Sequence, residues 1–281
     1  MSGGPVDPPV DPPVNPLDWD LGNLPPGIAW GGVDEAGRGA WAGPVVAACA
    51  VLDPGAARRW SHVLREVRDS KLIAPERRMA MAEELKMVLP AWAVAEVDNL
   101  AIDRENILEA SLLAMRQAVS ACALRPAILL VDGNRAPRTG LRERLVVDGD
   151  ALSCAVACAS ILAKAHRDAL MVGMASRHPG YGFERHKGYG TPEHRRALEA
   201  LGPSPAHRMT FAPVAALARP DDTLRAALQE AMETCARVED LQAWVEGALR
   251  PAYGRLRPEW IGALRERYAE RLAYLAGKDL T

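Results

Sequence analysis

The sequence predicts an α/β fold with a helical appendage at its C-terminal side. Three observations lead there. From about Gly27, short apolar runs alternate with stretches whose apolar residues recur at helical spacing. Several of those runs end at acidic residues next to glycine. After Pro213 the composition turns to Arg, Glu, Ala and Leu, and the strand-like runs stop. The expected division is a proline-rich arm (1–26), an α/β core (27–215) and a helical extension (216–281).

Taken in order, residues 1–26 hold a short Val-Asp-Pro-Pro repeat, and proline at that density favours an extended, solvated chain. Ile28 to Glu35 reads as a buried strand. A glycine-rich turn follows, then a second strand from Val45 to Leu52. Pro75 at a first helical turn starts a helix running to about Leu89. Ala91 to Val97 is a strand. Residues 104–122 carry Ile107, Leu108, Leu112, Met115 and Val119 at helical spacing. Ala127 to Val131 is a strand ending at Asp132-Gly133-Asn134, and Leu145 to Val147 a shorter one ending near Asp150. A long helix of small residues spans about Leu152 to Ala175. Residues 221–275 form two or three helices, with Pro251 and Pro258 as breaks.

The 281 residues are 49% hydrophobic and 25% charged, an ordinary globular balance with enough apolar material for a sizeable core. A net charge of −2 excludes a polycation, so any attraction to nucleic acid must come from a local face. Five cysteines with no CxxC pair fit a reducing compartment. Cys154 and Cys158, flanked by small residues, read as packing within a helix. No apolar run reaches membrane-spanning length and no signal peptide is evident, so a cytoplasmic, non-membrane protein acting as a monomer is expected.

Asp34-Glu35 and Asp132 stand where a buried strand meets a loop, and Asp150 follows a strand by a short turn. In α/β sheets, reactive groups collect at the carboxyl ends of strands. Taken singly, each acid is better explained as a loop solubiliser, helix cap or turn residue. Together they would repel one another unless cations intervene, and hard oxygen ligands suit Mg²⁺ or Mn²⁺. Two such ions about 3.5–4 Å apart support in-line displacement at phosphorus.

These residues lie in a longer series: Gly32-Val33-Asp34-Glu35-Ala36-Gly37-Arg38-Gly39, Gly43-Pro44-Val45-Val46, Asp69-Ser70-Lys71, Val131-Asp132-Gly133-Asn134, Gly149-Asp150, Ala159-Ser160-Ile161-Leu162-Ala163-Lys164 with Arg167-Asp168, His186-Lys187-Gly188-Tyr189-Gly190-Thr191 and His207-Arg208. The series resembles the type 2 ribonuclease H family, ribonuclease HII, over roughly residues 28–215. The resemblance implies a ribonuclease H-like mixed five-stranded sheet flanked by helices. It also implies an endonuclease that hydrolyses the RNA strand of RNA–DNA hybrids. Such an enzyme nicks 5′ of ribonucleotides embedded in duplex DNA, leaving 3′-hydroxyl and 5′-phosphate ends, with two divalent ions. Asp34, Glu35, Asp132 and Asp150 are then the catalytic, metal-binding acids. Gly37, Arg38 and Gly39 sense the ribose 2′-hydroxyl, and Tyr189 packs on the sugar.

Lys71, Lys164, Arg167 and Lys187 are the expected phosphate contacts, in a segment (160–210) with eight Lys/Arg against four Asp/Glu and five of the six histidines. Those histidines lack zinc-site spacing. Asp148 stands where the family often has a basic residue. On an extended backbone it would point with Asp150 and add charge near the metals. Lys71-Leu72 stands where two lysines are usual. Rival readings are a DNA-cutting nuclease of the same fold, a type 3 ribonuclease H, whose extra N-terminal domain exceeds the proline-rich arm, and a silent nucleic-acid-binding protein. The partner of the C-terminal extension is left open.

Overall fold

Residues 15–278 are described by the computed structural model. Five strands form one mixed sheet: β1 (Trp30–Ala36), β2 (Val45–Leu52), β3 (Ala91–Val97), β4 (Ile128–Asp132) and β5 (Glu143–Val146). Their spatial order is β3-β2-β1-β4-β5. β1, β2 and β3 pair antiparallel, whereas β4 and β5 run parallel to β1. Every residue of β2 is buried, which explains the unbroken run Val-Val-Ala-Ala-Cys-Ala-Val-Leu: helices cover both faces.

The helices that matter for the site are α1 (Pro16–Asn23), α2 (Pro75–Val88), α3 (Ile107–Ala121), α4 (Cys154–Arg177) and α5 (Pro192–Leu201). The appendage contains α6 (Pro220–Thr234) and α7 (Pro258–Lys278). α4 crosses β1 and β2 on one face, with α1 and α2 packed alongside it. α3 covers β2 and β3 on the other. Contact between α4 and β1 is close because Gly32 lacks a side chain: a Cβ there would lie 2.2 Å from the Ala155 carbonyl carbon. Cys154 and Cys158 are fully buried in α4, as small packing residues should be.

Three expectations are corrected. The extended arm was expected to reach residue 26, but Pro16–Asn23 is helical, with Pro16 in the first turn and the Asn15 side chain capping the Leu17 amide. α1 is anchored by Leu17 and Trp19, 1% and 8% exposed, so it belongs to the core; residues 1–14 lie outside the described residues. The single helix expected over 104–122 is two, Asn99–Glu105 and α3. They divide at Asn106, whose φ of 79° breaks the first helix while its side chain caps the second. Pro251 does not end a helix. A wider turn over Val245–Leu249 precedes it and absorbs the backbone groups that proline leaves without partners.

The appendage has its own core around Met232, Leu241, Trp244, Trp260 and Leu264. It is tied to the sheet domain by Arg104–Glu233 at 3.1 Å and Arg267–Asp98 at 3.5 Å. Arg257 also donates to the Leu201 carbonyl at 3.3 Å. No helix among the described residues is long and apolar enough to cross a membrane.

Candidate active site

The sheet register brings the acids together. β1 and β4 are neighbours in parallel, with Val33 opposite Val131, so Asp34 and Asp132 leave the same sheet edge side by side. Asp150 sits on the one-turn helix Gly149–Leu152 that leads into α4. The Gly149 amide donates to Asp132 Oδ1 at 2.8 Å, joining that turn to the end of β4. Asp34 Oδ1 accepts from the Glu35 amide at 2.7 Å, and the Ser160 hydroxyl on α4 lines the same cleft and favours the ionised carboxylate.

Electrostatics records the convergence. Burial first, then repulsion from Glu35, Asp132 and Asp150, holds the Asp34 carboxyl well above the usual carboxylate range. Glu35 is raised by burial and by Asp132, with the Arg38 guanidinium at 3.2 Å opposing. Asp132 is raised by burial and by Asp150, with the Gly149 amide opposing. Asp150 takes an ion pair from Lys71 Nζ at 3.0 Å. Among the described residues, no three His, Cys, Asp or Glu side chains stand close enough, as oriented, to share an ion. The donor set nonetheless fits a hard divalent cation: it is all oxygen, buried at Asp34 and Asp150 and half-buried at Glu35 and Asp132, and destabilised by mutual charge that a cation would neutralise.

Three of these acids open onto a cleft of about 260 Å³, lined by Asp34, Glu35, Asp132, the Gly37-Arg38-Gly39 loop, Ser70, Lys71, Ser160, Lys164 and Tyr189; Asp150 is not among its lining residues and reaches it through Lys71. Gly37 adopts φ +97°, and a Cβ there would strike Arg167 Nε at 2.0 Å. Gly39 is different: nothing lies within 4 Å of where its Cβ would be, so that edge of the loop is open to a ligand. Tyr189 pairs with Ala40 across a short antiparallel bridge, which fixes its ring beside the loop. Lys164 Nζ lies 5.3 Å from that ring's centroid.

Two expected phosphate contacts are elsewhere. Arg167 is wholly buried and donates to the carbonyls of Pro44 at 2.9 Å, Lys187 at 3.0 Å and Ala42 at 3.1 Å. It braces the loop from behind. Lys187 turns its Nζ back to the Glu184 carbonyl and is not among the cleft-lining residues. Asp148 has a left-handed backbone (φ 54°) and is exposed, so it does not point with Asp150 as an extended strand would require. It still contributes to the repulsion felt by Asp132.

The basic segment 160–210 is therefore partly interior. Arg208 is fully buried and donates to the carbonyls of Gly43, Arg38 and Pro44 at 2.9–3.1 Å. His186 and His194 stack at 4.5 Å, and His194 Nε2 meets His207 Nε2 at 3.0 Å. Burial pushes His194 down to about 4 and His207 well below its ordinary value, so both are neutral near pH 7. His194 Nδ1 lies 3.0 Å from the Tyr189 carbonyl, so this cluster positions the tyrosine. Sequence reading missed these supporting roles, together with those of Ser70 and Ser160. Their only signal was membership of the same motifs as the acids.

A model of the family described as Ribonuclease HII matches residues 31–214. The chain is 47% identical over 184 residues to "Ribonuclease HII" of Dechloromonas aromatica, covering 66% of this chain and 91% of that one. It is 49% identical over 202 residues to "Ribonuclease HII" of Paramagnetospirillum magneticum, covering 71% and 95%. In structure it is similar to the ribonuclease H2 of Pyrococcus horikoshii, with a TM-score of 0.58 and 25% identity over 68% of this chain and 97% of that one.

Proposed function

The chain belongs to the ribonuclease HII family, and from that premise we propose that it nicks duplex DNA on the 5′ side of an embedded ribonucleotide, leaving 3′-hydroxyl and 5′-phosphate ends. It is a divalent-metal-dependent endoribonuclease of the ribonuclease H type, acting on the RNA of RNA–DNA hybrids. The observation that carries the finer reading is the meeting of three mutually repelling carboxylates, Asp34, Glu35 and Asp132, with an unobstructed glycine edge in one cleft, and a fourth, Asp150, close enough to add to the repulsion.

Asp34, Glu35, Asp132 and Asp150 would hold Mg²⁺ or Mn²⁺. When bound, a pair of such ions supplies water activation and stabilisation of the leaving oxygen. The remaining work falls to the chain's own residues. The Gly37-Arg38-Gly39 backbone, open at Gly39, approaches the ribose closely enough to sense a 2′-hydroxyl. Tyr189, braced through His194, offers a ring face to the sugar. Lys71 and Lys164 take the phosphates, which sets register and not sequence. We place the enzyme in the cytoplasm as a monomer.

The test is cleavage of a duplex carrying one ribonucleotide. The expected result is a single nick on its 5′ side with Mg²⁺ or Mn²⁺, none with EDTA, and a loss of more than about a hundredfold in Asp34→Asn, since even groups that only orient metal ligands cost 10–100-fold. Cleavage of an all-DNA duplex at a similar rate would instead establish the DNA-cutting reading.

A further inference from the structure

We infer that Arg78, on α2 and outside the cleft, is a positioning residue that ties the two phosphate-binding lysines, Lys71 and Lys164, to one frame. The inference rests on the phosphate-binding reading of those lysines given above. Arg78 is 7% exposed. Its Nε donates to the Ser70 carbonyl at 2.9 Å and its Nη2 to the Ile73 carbonyl at 2.8 Å, so it grips both ends of the turn that carries Lys71. Its Nη1 meets Asp168 Oδ2 at 2.9 Å, and the other oxygen of that carboxylate accepts from Lys164 Nζ at 2.6 Å. One planar guanidinium thus fixes the 70–73 turn against α4.

The same turn reaches the acids. Ser70 Oγ lies 3.0 Å from Ser160 Oγ, and both serines line the same cleft as Asp34. Lys71 itself is 75% exposed at the side chain and its Nζ is held by the ion pair with Asp150, so where that end stands depends on how its backbone is held as well as on that pair. A buried arginine with all three nitrogens committed is costly to bury unless each bond is made. Lysine at 78 would keep the charge beside Asp168 but lack the fork that also grips two carbonyls.

The test is equilibrium binding of a labelled RNA–DNA hybrid without divalent ions, so that no cleavage occurs, between about 50 and 200 mM salt. Wild type, Lys71→Ala, Arg78→Lys and the double variant are compared. Lys71→Ala is expected to weaken binding several-fold and to flatten the log–log salt dependence by about one unit, as loss of one phosphate contact should. Arg78→Lys is expected to give the same flattening, and the double variant no more than either single change. In turnover, Arg78→Lys is expected to raise KM several-fold with kcat within about twofold, a split that a general loss of folding would not produce.

A wild-type salt slope in Arg78→Lys, or additive losses in the double variant, would overturn the inference. An unchanged slope in Lys71→Ala would instead overturn the phosphate-binding reading beneath it. If Arg78→Lys melts below the assay temperature, Asp168→Asn examines the link from its other end. Its salt-slope loss must then fail to add to that of Lys164→Ala, and additive losses overturn the proposal.

Discussion

Gly37 and Gly39 make the sharpest contrast at the scale of single residues. Alanine at 37 meets both a positive φ and the Arg167 guanidinium, so Gly37→Ala should destabilise the fold by about 1–3 kcal/mol, visible as a lowered melting temperature. Alanine at 39 meets neither, so Gly39→Ala should melt within about 0.5 kcal/mol of wild type. It should nonetheless lose most of its nicking at a single ribonucleotide. Unchanged activity would show that the open edge at 39 does not meet the ribose. At this scale the positions of the acids were legible in the sequence, because Asp34, Glu35 and Asp132 end apolar runs and Asp150 follows one by a short turn, whereas a shared role for them could be expected only from the series of motifs in which they lie. The arginines were not. A guanidinium that binds phosphate and one that binds three carbonyls have the same letter, and only burial separates Lys71 at the cleft from Arg167 and Arg208 behind it.

Among the elements, β2, β3 and α2 were readable to within a residue, because proline, glycine and continuous apolar runs mark their limits. α1 was hidden by its prolines: Pro16 starts a helix, whereas the preceding repeat suggests none. Its docking depends on Asp20, which is fully buried. The Asp20 carboxylate accepts from Trp30 Nε1 and the Ala155 amide, each at 3.0 Å, at the start of α4. Burial outweighs these bonds and pushes Asp20 up to about 7 from 3.8. The folded state therefore holds a proton that the unfolded chain releases near pH 4. The stability this group contributes is full below about pH 4 and is lost as pH rises through about 7, at most about 4 kcal/mol in all. Asp20→Asn should accordingly raise the melting temperature relative to wild type at pH 8 and much less at pH 4. An equal shift at both pH values would mean that the buried charge is not the cause.

For the molecule as a whole, the acid cluster sets stability against function. Charges gathered for a cation weaken the fold until one arrives. Mg²⁺ at about 100 times its dissociation constant should add about 3 kcal/mol, or roughly 5–10 °C in melting temperature. Asp34→Asn should melt higher than wild type in EDTA and gain little from Mg²⁺. A variant that melts lower in EDTA would contradict the charge argument. The ribonuclease H-like core could be read from the order of its motifs and the helical character of the appendage from its composition, whereas the way the appendage docks could not. Its Arg and Glu residues serve pairs such as Arg267–Asp98 and Arg104–Glu233, which join segments far apart in the chain. The contact of α4 with β1 at Gly32 carries a further consequence. Asp34 and Ser160 belong to separate pieces of backbone, and their alignment is kept by an empty position where the two pieces touch. A single methyl group there would pry the helix off the strand and silence the nuclease, with every atom that meets nucleic acid chemically intact.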